Sequence, residues 1–213
     1  MKKLFALVIA FLGFGLTVVS AQSSYYGETF EKETGVMRSR TWVSISKMKS
    51  RLEHISKDGK ITGVTIFDMN TLTSCNLDLD KKTYQIMDMK TLIDGTALGV
   101  ESLKVVDSTM ERTVLGKEII EGYDCTHYGV STVTTTQGGG DSGQYDEWVW
   151  EPHGITIQIT DEMRFGNYLV TKNINLGEPP ANLLEIPEDF TEVKAPDLSE
   201  LGAMLELFQS GKN

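Results

Sequence analysis

The segment Tyr145-Asp146-Glu147-Trp148-Val149-Trp150-Glu151-Pro152-His153 sets the carboxylates of Glu147 and Glu151 among two indoles and an imidazole. As a glycosidase pair, the two glutamates would supply an acid and a base, with tryptophan stacking against a sugar ring. Residues four apart on one strand share a face at a separation of about 13 Å, given a rise of about 3.3 Å per residue. That is too far for either the retaining or the inverting geometry. Trp148 and Trp150, two apart, fall on the same strand face, where they line either a core or a ligand cavity. Trp42 lies in a second alternating segment, Trp42-Val43-Ser44-Ile45-Ser46, and is the third candidate for such a lining.

Other catalytic and metal-binding patterns are not met. His54, His127 and His153 lie in separate segments, and no H-E-x-x-H, C-x-x-C, G-x-S-x-G or glycine-rich phosphate loop occurs. Asn76, Asp78 and Asp80 imitate the start of a calcium loop, but Lys81 stands where a glycine is needed and Met87 where a chelating glutamate is needed. They read as a polar hairpin turn. No metal, cofactor or catalytic residue is assigned, and the protein is read as a non-enzyme.

Cys75 and Cys125 are the two cysteines. A disulfide between them would close a loop of about 50 residues, worth about 4 kcal/mol in the chain-entropy account. Inert free thiols are the second reading. A reactive thiol is the third, since His127 sits two residues beyond Cys125 without being placed as its base on that ground alone.

Residues 1–21 carry the marks of an export signal. Lys2 and Lys3 precede the apolar run Leu4 to Val19, and Val19-Ser20-Ala21 forms a small-residue cleavage site. The run is shorter than the roughly 20 residues that cross a bilayer. No cysteine stands immediately after Ala21, so lipid attachment there is not expected. The chain has 213 residues and a net charge of −10, which becomes −12 once Lys2 and Lys3 are removed. Such acidity opposes nucleic acid and anionic membrane surfaces and suits a soluble exported protein, periplasmic or extracellular, with no transmembrane span after signal cleavage.

From Tyr25 to Asp88, short segments rich in Thr, Tyr, Ile, Val and Trp alternate with turns at roughly ten-residue intervals, the pattern of an antiparallel meander. Strands are expected at Tyr25–Glu33, Arg38–Lys47, Lys49–Ser56, Lys60–Asp68, Leu72–Asp78 and Thr83–Met89. Lys90 to Asp107 breaks the rhythm with apolar residues at spacings of three and four, read as one or two short helices over the sheet. Strands resume at Met110–Glu118, Tyr123–Thr135, Glu147–Trp150, Ile155–Met163 and Tyr168–Leu176, with Gln137–Gly143 as a flexible glycine-rich loop. Leu198, Leu201, Leu205 and Phe208 fall on one stripe, so Asp197–Phe208 is read as an amphipathic helix.

Two stretches carry a resemblance. Gly116-Lys117-Glu118-Ile119-Ile120-Glu121-Gly122-Tyr123-Asp124-Cys125-Thr126-His127-Tyr128, followed by the W-x-W strand and then Leu183-Leu184-Glu185-Ile186-Pro187-Glu188-Asp189-Phe190, resembles an uncharacterised bacterial domain family related to LolA-type outer-membrane lipoprotein carriers. The likeness covers about Tyr25 to Lys194. It implies a mainly β (α+β) fold, in which a curved antiparallel sheet or half-open β-barrel with short covering helices encloses an apolar cavity that takes acyl chains. The expected organisation is a signal peptide (1–21), a LolA-like β domain (22–196) and a C-terminal helix or tail (197–213). The expected function is that of an exported carrier for lipid-like or other apolar ligands, such as an acyl chain. The alternative is a structural or protein-interaction module of the cell envelope, which binds a protein partner and no small molecule.

Overall fold

The computed structural model describes residues 21–93, 105–137, 139–160 and 168–194. Its strands are β1 (Tyr25–Glu31), β2 (Met37–Ser44), β3 (Lys49–Ile55), β4 (Ile61–Asp68), β5 (Thr73–Asp78) and β6 (Thr83–Asp88). A short helix α1 (Met89–Ile93) follows, then β7 (Val105–Ile120), β8 (Tyr123–Thr136), β9 (Gly139–Trp150), β10 (Ile155–Thr160) and β11 (Tyr168–Leu176). A 3-10 turn (Ala181–Leu184) leads to β12 (Thr191–Glu192). All belong to one large, open, curved sheet in the order β12-β6-β5-β4-β3-β2-β1-β11-β10-β9-β8-β7. Two meanders are therefore fused where β1 pairs with β11, and among the described strands only the β12–β6 pair is parallel.

Three hairpins of the first meander share one local cause. Ser44, Asp68 and Asp78 end β2, β4 and β5, and each side chain accepts backbone N–H groups two or three residues on. Lys47 N donates to Ser44 Oγ at 3.2 Å, Asn70 N to Asp68 Oδ1 at 2.9 Å, and Lys81 N to Asp78 Oδ1 at 3.0 Å. Such bonds close a turn without help from the rest of the fold. Each loop returns through a left-handed residue four positions on, namely Met48, Leu72 and Lys82 (φ 52°, 52° and 51°). None is a glycine or asparagine, so each holds a conformation that disfavours its Cβ. Leu72 is 42% exposed and gives up little packing if shortened. Leu72→Asn should raise stability by about 0.5–1 kcal/mol, read as a higher urea midpoint at unchanged slope. A lower midpoint would show that Leu72 packs more than its exposure implies.

The strands of the first meander lie within three residues of the expected bounds. The glycine-rich stretch does not behave as expected: Gly139–Gly143 is the start of β9, paired residue for residue with Thr132–Thr136 of β8. Backbone ladder bonds need no side chain, and the facing threonines add their own, with Thr136 Oγ1 donating to Gly139 O and Thr132 Oγ1 to Gly143 O. At the other break, α1 accounts for part of the expected helical region, whereas Val105–Asp107 already belongs to β7. Residues 1–20 of the expected signal segment (1–21) and the expected C-terminal helix lie outside the described residues; Ala21 is described and is buried.

Two apolar clusters hold the sheet. Ala21, Tyr25, Val43, Cys125, Trp148, Ile155 and Ile157 form the first, flanked by Ile45, Ile120, Tyr123, Trp150 and Ile174. Val64, Ile66, Cys75 and Leu77 form the second, covered by Tyr84, Ile186 and Phe190. The covering segment is tied at its rim by Lys82–Asp189 (2.7 Å), by Lys49–Glu185 (3.7 Å) and by Arg51 Nη1 donating to Leu183 O at 3.3 Å.

The expected disulfide is replaced by two buried free thiols. Cys75 on β5 and Cys125 on β8 belong to different clusters, and seven strands stand between theirs in the sheet order. Burial pushes both thiols up to about 11, which leaves little thiolate to react at neutral pH. A thiol reagent at pH 7.5 should find no reactive group in the native protein and two after denaturation without reductant. Two protected sulfurs after denaturation would mean the cysteines are bonded.

Candidate functional site

Trp148 and Trp150 come together as the strand period requires. On β9 they face β8, with Trp148 opposite His127. The indole of Trp148 stacks on that imidazole at 4.1 Å and 11° and meets Tyr168 at 6.2 Å. Trp150 is half-buried between Tyr123 (4.8 Å) and His153 (4.1 Å). Trp42 stands apart on β2, opposite Tyr26 of β1 at 5.0 Å, and belongs to neither apolar cluster.

A cleft of about 450 Å³ opens where the β7–β8 turn meets β11, lined by Glu121, Tyr123, Lys172, Asn173, Ile174 and Asn175. Three strand spacings of about 4.8 Å separate β11 from β8 in a flat sheet. Curvature carries the turn back toward β11, and Lys172 Nζ meets Glu121 Oε1 at 3.1 Å. Glu121 and Gly122 both have positive φ (50° and 87°), as a two-residue hairpin turn matched to strand twist demands. On the opposite rim, Asn173 has φ 52° and is the one non-glycine left-handed residue inside a strand among the described residues. It sits at the register shift between β1 and β11, where an extra β11 residue is accommodated.

Tyr123 and Ile174 are the apolar residues of the lining, and both pack against the first apolar cluster. None of the three tryptophans is in the lining, but Trp150 packs on a lining residue and Trp42 reaches one through two neighbours. Trp150 backs Tyr123. Trp42 packs on Tyr26, whose hydroxyl donates to Glu28 Oε1 at 2.5 Å, while Asn173 Nδ2 donates to Glu28 Oε2 at 2.6 Å. Burial would raise the Glu28 pKa, but these two bonds and the charge of Arg40 outweigh it and hold the carboxyl below its usual range. Tyr26 is pushed up to about 12, first by desolvation and then by its bond to Glu28. Asn173 is thus held in place by an ionised carboxylate.

The two glutamates that suggested sugar chemistry lie elsewhere. Glu147 is 2% exposed, and desolvation raises its pKa despite the opposing charge of Arg112, whose Nε is 2.7 Å from Glu147 Oε1. The approach is close but poorly aligned, and Oε1 has no directed hydrogen bond. Glu151 instead accepts from the Tyr128 hydroxyl. One further polar contact, which no sequence motif marks, joins Ser23 Oγ to His153 Nδ1 at 2.9 Å. It fastens the N-terminal segment to the β9–β10 turn, aided by Gln22 N donating to His153 O at 2.8 Å. Among the described residues no carboxylate bonds to the other nitrogen of His153. No group of three His, Cys, Asp or Glu among the described residues could hold a metal ion.

Comparison with curated proteins found no match. Among solved structures, the chain is similar to an uncharacterized conserved protein from Thermus thermophilus. The TM-score is 0.53 at 9% identity, over 83% of this chain and 93% of that one. The two share the fold. PNGF-II aligns with TM-score 0.45 at 10% identity over 85% of this chain and 33% of its own, and LprF from Mycobacterium bovis with 0.37 at 11% over 82% and 93%. The profile of the family described as Domain of unknown function (DUF4412) matches residues 31–149, more than half of the chain, and the chain belongs to that family.

Proposed function

We propose that this protein is an exported, non-catalytic carrier for lipid-like or other apolar ligands. The observation that carries the reading is the cleft of about 450 Å³, two of whose lining residues, Tyr123 and Ile174, pack against the apolar cluster containing Trp148. Its size falls in the range of sites that take one small ligand, roughly 300–1,000 Å³. An open, curved antiparallel sheet is also the architecture expected from the resemblance to LolA-type carriers. In this reading Trp150, behind Tyr123, borders the ligand's apolar part, while Trp42 acts through Tyr26, Glu28 and Asn173. No helix among the described residues is long and apolar enough to cross a membrane, which suits a carrier released into the periplasm or medium.

The test is native mass spectrometry on protein purified without detergent from its native compartment, before and after organic extraction. A stoichiometric adduct that extracts as lipid supports the carrier and names its cargo. Unliganded protein that also fails to bind added fatty acids and phospholipids would sink it. A second reading, an envelope interaction module, is favoured by β7, which stands last in the order of the described strands and whose Val114, Leu115 and Ile119 are 62%, 56% and 77% exposed. Exclusive recovery in a complex with an envelope protein, with no lipid present, would select it.

A further inference from the structure

We propose that the cleft recognises a zwitterion carrying one phosphate and one ammonium group, the head of a single-chain phosphoethanolamine lipid. This rests on the carrier reading and names the class of ligand.

The rim is built from opposite charges. Lys172 and Glu121 face each other at 3.1 Å, with side chains 40% and 34% exposed, so both remain reachable from solvent. Asn173 and Asn175 have their amide nitrogens engaged, the first to Glu28 at 2.6 Å and the second to Asn173 O at 3.4 Å. Their carboxamide oxygens are left as acceptors. One cationic donor therefore stands beside a carboxylate and two neutral acceptors. Lys172 matches a phosphate, whereas Glu121 and the carboxamides match an ammonium. A zwitterion exchanges the single ion pair of the rim for two and leaves the local charge unchanged. A purely anionic head would compensate Lys172 alone, against the net charge of −10 on the chain.

The lining also holds Tyr123 and Ile174, which pack against the first apolar cluster, and about 450 Å³ is the scale of one small ligand, a head with the start of a single chain.

Binding is measured by titration calorimetry below the micelle concentrations. The ligands are lysophosphatidylethanolamine, lysophosphatidylglycerol, palmitate and water-soluble O-phosphoethanolamine; the proteins are wild type, Glu121→Gln and Lys172→Met. Circular dichroism confirms that the variants are folded. Lysophosphatidylethanolamine should bind wild type about tenfold more tightly than the other two amphiphiles, the worth of one charge-assisted hydrogen bond. Glu121→Gln should abolish that preference while retaining lysophosphatidylglycerol, and Lys172→Met should weaken both phospholipids. Equal binding of all three amphiphiles, unchanged in Glu121→Gln, would overturn head-group recognition and leave the carrier reading standing. O-phosphoethanolamine binding as tightly as its lipid would overturn the lipid source and identify a site for the soluble zwitterion. Failure of every amphiphile to bind would overturn this proposal together with the carrier reading.

Discussion

Arg112→Ala is expected to destabilise the protein by about 2–3 kcal/mol at pH 7. Removing one partner of a buried ion pair typically costs about 3–5 kcal/mol, because a charge is left buried and uncompensated. Glu147 is buried to that degree at 2% exposure, but the Arg112 side chain is 35% exposed. Solvent screens the pair on that side, which places the expectation at or below the low end. The pH dependence supplies the sharper check. Desolvation raises the Glu147 pKa in the folded protein above its ordinary value of 4.5. The native state therefore holds this proton more tightly than the unfolded chain does. The stability it contributes is fully present below the unfolded value and is lost as pH rises through the folded one.

The deficit of Arg112→Ala against wild type should accordingly shrink as pH falls from 7 toward 4, where protonation neutralises Glu147. Glu147→Gln, which keeps the shape and removes the charge, should be at least as stable as wild type at pH 7, with its advantage shrinking over the same interval. Urea denaturation of the three proteins from pH 4 to 8 measures both. Differences between proteins at each pH are the quantity to compare, since hydrogen bonds and cations hold Glu28, Glu31 and Glu178 below their usual range and these groups lose stability in acid in every variant. A pH-independent deficit in Arg112→Ala would show that Arg112 acts through packing on Tyr128, 5.8 Å away, and not through Glu147.

Trp148→Ala should cost about 3–5 kcal/mol, the range for truncating a large aromatic in a core. Trp148 is 6% exposed, stacks on His127 and belongs to the first apolar cluster. Its removal leaves a cavity between β8, β9 and β10 that a hydrogen-bonded sheet cannot collapse to fill. Trp148→Phe should behave differently. The indole Nε1 is buried without an acceptor, and an unsatisfied buried donor costs about 1–3 kcal/mol. Phenylalanine removes that donor while keeping most of the ring, so the loss should stay within about 1 kcal/mol. Chemical denaturation followed by far-ultraviolet circular dichroism, which does not depend on the indole, distinguishes the two. Equal losses in both variants would show that the N–H of Trp148 is bonded in solution.

Local physics makes the first meander readable. Alternation in Met37–Ser44 and Lys49–Ile55, together with side chains that close their own turns at Ser44, Asp68 and Asp78, acts within a few residues and leaves its mark in any short window. Gly139–Gly143 departs from its expected loop for a related reason. Its own residues favour a loop, and it becomes a strand through the threonine-rich partner β8, where the backbone bonds are made. Spacing alone places Trp148 and Trp150 on one face. The pairing of Trp42 with Tyr26 needs the β1–β2 register.

By itself the sequence determined the β class, the meander and its turns, the shared face of two tryptophans and the acidity of the surface, since each follows from neighbours a few residues apart. Only the tertiary structure decided that β1 closes on β11, that Cys75 and Cys125 lie in separate clusters, and that Glu121 and Lys172 meet across a cleft. Strand order and sheet curvature arise from contacts between residues as far apart as Tyr25 and Leu176. An alternating pattern shows that a strand has a buried face without naming the strand beside it.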